Sequence, residues 1–547
     1  MRFHTVKPWY KRRRFWTFVF LAVLFYFCFV PSPLKISPES TGFTEPLLPN
    51  GEVDYFGAYE KLYIHKLSPP EDNGYRLLLA ACGPRILEQQ YLMDQISSWD
   101  ELPTHERSKQ WFHEKWVPLC EHMYIDPYAK PRFHDSFGFH EFLYQERKAK
   151  QEDAKRWETA KEDDELWDQL VAAPWTAEDH PDIARWLEER SPVLDLFGVA
   201  VRKPNFACYR WREETMWSIL FPDAQGSREF ARDLRVRITE RLGKGDIDGA
   251  WHDVMSLFIL SRKHYLFDPF VTVNLVGIAA EGMGRESAML VLQYGNASPE
   301  QLAQFANDLT SLPRKIVLDT TAFEELFTFG SLKDIHKYML VVFGINIFLD
   351  DEEKNTLLSF INPFRWIDYN IAGKRLEKRF NAVRQMRDDS AWNINRTVMK
   401  KHVDLCAPPD ESWCFNCMLR DTRAPWDLLR VPLIHTRSQL LADVCFNLMV
   451  SCSYESQNAL DRSNAQLDLL RLAVALERYK SANEKYPATL DELVPVFLEE
   501  VPLDAFTGRK TLMYKLAPNM ETAFLLYSYG MNEADDGGAE DDVVLRR

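Results

Sequence analysis

From Phe15 to Val30 the chain runs through sixteen uncharged residues, apolar but for Thr17, directly behind a stretch holding Arg2, Lys7, Lys11, Arg12, Arg13 and Arg14. This pairing constrains the topology of everything downstream, because an apolar helix flanked by Lys and Arg on one side orients with that side in the cytoplasm. Sixteen helical residues span roughly 24 Å against a hydrocarbon core of ~30 Å, and the amphipathic Trp9 and Tyr10 with snorkelling arginines extend the reach. Pro31-Ser32-Pro33 stands where a signal peptidase needs a small-x-small site, so the pattern predicts an uncleaved transmembrane signal anchor over 15–30. Residues 1–14 are then a cytoplasmic basic tail. The bulk of the chain is expected outside the bacterial cytoplasmic membrane, held by a single pass. A second apolar stretch, Leu440 to Cys452, is interrupted by Asp443 and Asn447 and is too short to span, which predicts a buried helix.

Residues 31–50 carry five prolines with Ser and Thr and read as a linker. A helical body follows over 51–436. Tyr75 to Ala81 and Ile86 to Ile96 are apolar-periodic, Thr176 with Asp179 resembles a cap for the helix carrying Ile183 and Leu187, and Gln151 to Asp168 reads as a solvated, highly charged arm. Phe230 to Leu242 and Asp248 to Leu260 flank Gly243-Lys244-Gly245-Asp246, the pattern of a helical hairpin with Trp251, Met255 and Phe258 on one face. It is similar to one hairpin of a tetratricopeptide-like array, without a sustained repeat. The net charge of −15 excludes a general nucleic-acid binder, since phosphate contacts need a surplus of Lys and Arg on one face.

The motifs that would name a reaction are missing. Gly-x-Ser-x-Gly, a phosphate-binding glycine loop and a dinucleotide fingerprint do not occur, and His134 with His140-Glu141 lacks the His-Glu-x-x-His spacing. Glu324-Glu325 reads as helix-surface carboxylates rather than a glycosidase pair. Nine cysteines include eight beyond the apolar run, on the side where disulfides form. Cys414-Phe415-Asn416-Cys417 has redox spacing without a βαβ context. A structural disulfide among Cys406, Cys414 and Cys417 is the expectation, with a zinc site that adds His402 as the alternative.

The last stretch, 437–547, is read as a long helix plus a small α+β module. Leu469, Leu472, Leu476 and Tyr479 give a helix ending near Asn483, stopped by Tyr486-Pro487. Thr489-Leu490-Asp491-Glu492 is a capping box for a short second helix. Leu512 to Leu516 and Ala523 to Tyr529 read as an antiparallel pair. Asn532, Glu533, Asp535, Asp536, Glu540, Asp541 and Asp542 then crowd around Gly537-Gly538, a composition that can fold around a hard cation such as calcium, although a solvated acidic tail is the usual fate of such a charge run.

The order long helix, Tyr-Pro, short helix, Val501-Pro502-Leu503-Asp504-Ala505-Phe506-Thr507-Gly508, strand, Leu526-Tyr527-Ser528-Tyr529-Gly530 and acidic glycine loop resembles the globular domain of the major pseudopilin of type II secretion, over about 463–547. The resemblance implies a calcium ion held by Asn532, Asp535, Asp541 and Asp542. A working pseudopilin has a Gly-Phe cleavage site and a Glu-bearing apolar helix joined directly to this domain; here more than four hundred residues intervene. The whole chain, with Pro69-Pro70-Glu71-Asp72-Asn73 and Pro174-Trp175-Thr176-Ala177-Glu178, resembles a group of large, uncharacterised, singly anchored bacterial envelope proteins that end in such a module. The expected architecture is therefore mainly α, with an N-terminal transmembrane helix, a large helical body and a small C-terminal α+β module. The expected function is a non-enzymatic interaction scaffold of the cell envelope, with the membrane and unidentified envelope proteins as partners. An extracytoplasmic hydrolase and an accessory part of a secretion or pilus-like apparatus are the alternatives.

Overall fold

A computed structural model describes residues 15–21, 31–63, 67, 69–87, 112–129, 131–133, 136, 138–149, 156–212, 216, 219, 221–267, 270–313, 321–332, 367–388, 434–516 and 524–546. The chain is mainly helical, as the apolar periodicity predicts, with one small antiparallel sheet near the C-terminus. The helices are α1 Pro38–Thr41, α2 Tyr55–Tyr63, α3 Gly74–Cys82, α4 Val117–His122, α5 Phe139–Ala149, α6 Arg156–Ala172 and α7 Pro181–Val201. They continue as α8 Pro222–Gly243, α9 Ile247–Phe267, α10 Val271–Tyr294, α11 Pro299–Ser311, α12 Thr321–Ser331, α13 Tyr369–Asp388 and α14 Ile434–Asn483. The strands are β1 Met513–Leu516, β2 Phe524–Ser528 and β3 Val543–Arg546, in the order β1-β2-β3. Among the described residues no helix is long and apolar enough to cross a membrane. Phe15–Leu21 is helical with Trp16, Phe18, Phe20 and Leu21 exposed, and the remainder of the expected anchor, 22–30, lies outside the described residues.

The chain divides into two compact units. The first comprises 1–62, 212–218 and 319–454. Its core joins Phe329 of α12, Leu376 and Phe380 of α13, and Leu441, Cys445 and Phe446 of α14. Asp443, which breaks the apolar run of α14, is accommodated because Arg375 and Arg379 both donate to its carboxylate at 2.9 and 2.8 Å. Segment 31–50, expected as a linker, packs onto this unit through α1 and its flanks.

The second unit comprises 63–211, 219–318 and 455–547. The hairpin expected around Gly243-Asp246 is α8 and α9, and Trp251 stacks on Phe305 of α11 with ring centroids 4.0 Å apart while its indole N–H donates to Asp308. Charged side chains are buried in matched sets. Arg237, 2% exposed, meets Asp253 and Asp195; Arg190 meets Asp233 at 2.9 Å; Arg262 meets Glu281. Pairing of this kind is what makes a buried charge tolerable, since an isolated one costs several kcal/mol or more. The expected solvated arm is also tied down: Asp163 of α6 is buried against Arg147, and Trp167 lies under the guanidinium of Arg235. Thr176 and Asp179 do bond to each other, one turn ahead of α7, whose N-cap is His180.

From Leu467 to Glu477 α14 is buried nearly all round, Leu469, Leu470, Leu472, Val474 and Leu476 being inaccessible. One side faces α11, where Arg471 donates to the carbonyls of Leu309 and Leu312. The helix ends at Asn483 as expected. Thr489 and Glu492 form the expected capping box, although what they cap is a single 3₁₀ turn, Leu490–Leu493, and not a full helix. Fully buried Asp504 organises the Val-Pro-Leu-Asp segment: Oδ1 accepts from the amides of Phe506 and Thr507, and Oδ2 from that of Tyr529. β1 and β2 pair with Tyr514 opposite Leu526, and β3 adds a strand beyond the expected pair, with Leu545 opposite Leu526.

Candidate metal centre

The acidic loop is a bridge between β2 and β3, and its geometry starts at Gly530. This glycine has φ +64°, and a Cβ there would stand 2.4 Å from the carbonyl oxygen of Asp541, so only glycine lets the two ends of the loop cross this closely. Gly537 and Gly538 also have positive φ, which turns the chain back so that Asp541 and Asp542 face the residues that precede the turn. Each of these carboxylates uses one oxygen to hold the loop. Asp541 Oδ2 accepts from the Asn532 amide at 2.9 Å, and Asp542 Oδ2 from the Gly538 amide at 2.8 Å.

The other oxygen of each, Asp541 Oδ1 and Asp542 Oδ1, is buried and has no hydrogen-bond donor among the described residues. Carboxylate oxygens of Asp536, Asp541 and Asp542 all lie within 4.8 Å of one another. Oxygens that share one hard cation at 2.3–2.6 Å from each stand no more than about 5 Å apart, so this spacing fits a single ion. Burial raises the Asp542 carboxyl above the usual carboxylate range, with the charges of Asp536, Asp535 and Asp541 adding to the effect against the Gly538 amide. Two lone, desolvated carboxylate oxygens beside a third carboxylate are an arrangement that a cation relieves. Asp536, Asp541 and Asp542 could hold a metal ion.

Of the four residues named from the sequence, Asp541 and Asp542 belong to this triad. Asp535 is turned outward: its Oδ1 accepts from the Tyr527 hydroxyl and the Gly537 amide, both at 3.0 Å, and these donors hold its carboxyl below the usual range. Asn532 sits at the rim, donating from Nδ2 to Asp536 at 2.8 Å and accepting from the Ala534 amide. Asp536 is the member that spacing did not single out. Two lysines flank the loop, Lys510 over the Tyr529 ring and Lys515 over the Tyr527 ring, at 4.2 and 4.8 Å.

Elsewhere in the second unit a cleft of about 400 Å³ is lined by Phe142, Leu143, Glu146, Arg147, Leu166 and residues 179–183. Its charged side chains have partners around the cleft: Arg147 pairs with Asp163, Glu146 and Asp182 with Arg185, and Asp179 accepts from Thr176. His140 lies 3.3 Å from Arg232, and Glu141 is buried with a bond from Gln145. Glu325 is buried, not at the helix surface. Cys82, Cys120 and Cys445 are buried free thiols and Cys208 is buried with its thiol directed at the Tyr209 carbonyl, while His134, His402, Cys406, Cys414 and Cys417 lie outside the described residues. Compared with known proteins, the chain matches no family model, no curated protein and no solved structure.

Proposed function

We propose that this protein is a cell-envelope scaffold, anchored in the bacterial cytoplasmic membrane by 15–30, whose C-terminal module is a pseudopilin-like domain stabilised by calcium. The observation that carries the calcium reading is the pair of buried oxygens on Asp541 and Asp542, without a donor among the described residues, beside Asp536. Calcium suits the site better than magnesium, because a loop turned by glycines offers irregular oxygens and not a rigid octahedron. Asp536, Asp541 and Asp542 hold the ion, and loop carbonyls complete the six to eight oxygens it takes. Binding there ties β3 to the sheet, because Asp542 immediately precedes Val543.

The helix, 3₁₀ turn, antiparallel strands and acidic loop follow the order on which the pseudopilin likeness rests. Buried, mutually paired charges and an engaged cleft support a scaffold over a hydrolase. Titration calorimetry of the full chain with calcium chloride tests the site: saturable binding of one ion, abolished by Asp542→Asn, is the expected result. Heat of dilution alone in the wild type would rule calcium out.

A further inference from the structure

The register of the sheet places a cation over the acidic loop. Successive side chains on a strand point to opposite faces, so Lys515 of β1 shares a face with Leu525, its partner on β2, and with Tyr527, its diagonal neighbour. The loop folds back over that same face. A Cβ on Gly538 would stand 3.0 Å from the Leu525 side chain, and one on Gly537 would stand 3.6 Å from Lys515 Nζ. The ammonium lies over the Tyr527 ring, 4.8 Å from its centroid, and the hydroxyl of that ring donates to Asp535 Oδ1 at 3.0 Å. Lys515 therefore stands at the turn that follows Asp536, on the side where Tyr527 draws Asp535 away from the triad. The second lysine of the loop is used on the other limb, where Lys510 Nζ donates to the Glu533 carbonyl at 3.1 Å.

A positive charge fixed beside three carboxylates acts twice, and both effects weaken cation binding. In the empty loop it offsets the repulsion among Asp536, Asp541 and Asp542, and in the filled loop it repels the ion. We propose that Lys515 is a built-in counter-cation of the metal centre, which lowers the affinity for calcium and discriminates against ions of higher charge. This rests on the calcium reading of Asp536, Asp541 and Asp542. Across ~8 Å of water-like dielectric, one unit charge opposes a divalent ion by about fivefold in affinity. Coulomb energy is proportional to the ion's charge, so a trivalent ion feels the three-halves power of that factor, roughly tenfold.

Titration calorimetry of the full chain with calcium chloride and with terbium chloride tests the assignment. At ~10 mM salt Lys515→Gln is expected to tighten calcium about fivefold and terbium roughly tenfold; at ~1 M salt, where the Debye length is ~3 Å, both gains should vanish. Lys515→Arg, which keeps the charge, is expected to bind both ions as the wild type does. Equal affinities of the wild type and Lys515→Gln at low salt, a gain of the same size for both ions, a gain that survives ~1 M salt, or the same gain in Lys515→Arg would overturn the role of Lys515 and leave the calcium site standing. Heat of dilution alone with calcium in all three chains would overturn the site, and the role of Lys515 with it.

Discussion

Replacing Asp504 with alanine should open the C-terminal module while leaving the helices of the first unit closed. The carboxylate is inaccessible and satisfies three buried amides at 2.9, 2.9 and 3.1 Å. A buried N–H left without a partner costs about 1–3 kcal/mol, and three of them, partly relieved by water entering the gap, come to about 4 kcal/mol. That corresponds to a rise on the order of a thousandfold in the open population. Asp504→Asn keeps an acceptor for Phe506 and Thr507 but points an N–H at the Tyr529 amide, so an intermediate loss of about 2 kcal/mol is expected. Thermolysin at low concentration reads this directly, because cleavage tracks the open population when reclosing is fast. Cleavage sites located by mass spectrometry should concentrate after Asn483. Cleavage of Asp504→Ala there as slow as that of the wild type would refute the idea that this carboxylate holds the segment to the sheet.

Three further outcomes are expected in the body of the protein. Arg237→Ala leaves Asp253, 1% exposed, with Arg241 and His252 beside it but without its bidentate partner, and should cost about 3–5 kcal/mol in urea titration of the full chain; a loss below about 1 kcal/mol would mean that these neighbours or water make good the lost pair. Burial lowers the His264 imidazole to about 4, so the unfolded chain binds the proton first as pH falls. Its contribution is fully present above pH 6.5 and is lost between about 6.5 and 4, by about 3 kcal/mol; His264→Leu should flatten that part of the stability–pH curve, and an unchanged slope would place the titration elsewhere. Burial pushes the thiols of Cys82, Cys120 and Cys445 up to about 12, so iodoacetamide at neutral pH should spare all three in the native chain and label them in denaturant.

Local chemistry made parts of this fold legible. Glycine at 243 and 245 marks a helix turn, Tyr486-Pro487 stops α14, and Thr489 with Glu492 caps the 3₁₀ turn at Leu490–Leu493, because each rests on neighbours in sequence. β3 is not legible: Val543 to Arg546 is four residues behind a run of acids, and only its pairing with β2 identifies it. The triad is half legible for a related reason. Composition marks an acidic glycine loop, yet whether Asp535 or Asp536 turns inward is decided by the Tyr527 hydroxyl, which captures Asp535 from across the loop. Likewise Arg237 and Asp253 lie on different helices, and nothing in their spacing announces that burial makes them partners. The prolines of 31–50 suggest a free spacer, whereas Asp368 and Asn370, more than three hundred positions away, hold its start in place.

Calcium binding should be felt most strongly in β3, where hydrogen exchange of the full chain measures it. Closing Asp536, Asp541 and Asp542 on an ion pins the strand that begins one residue later, so the amides of Val543–Arg546 and of Gly538 should register the opening of the loop. At about a hundred times the dissociation constant the ion adds about 2.7 kcal/mol, which slows those amides roughly a hundredfold relative to chelator while α13 exchanges unchanged. Asp542→Asn should exchange at the chelator rate in both conditions. Identical protection of β3 with and without calcium, at matched ionic strength, would contradict the site and leave the loop as acidic surface.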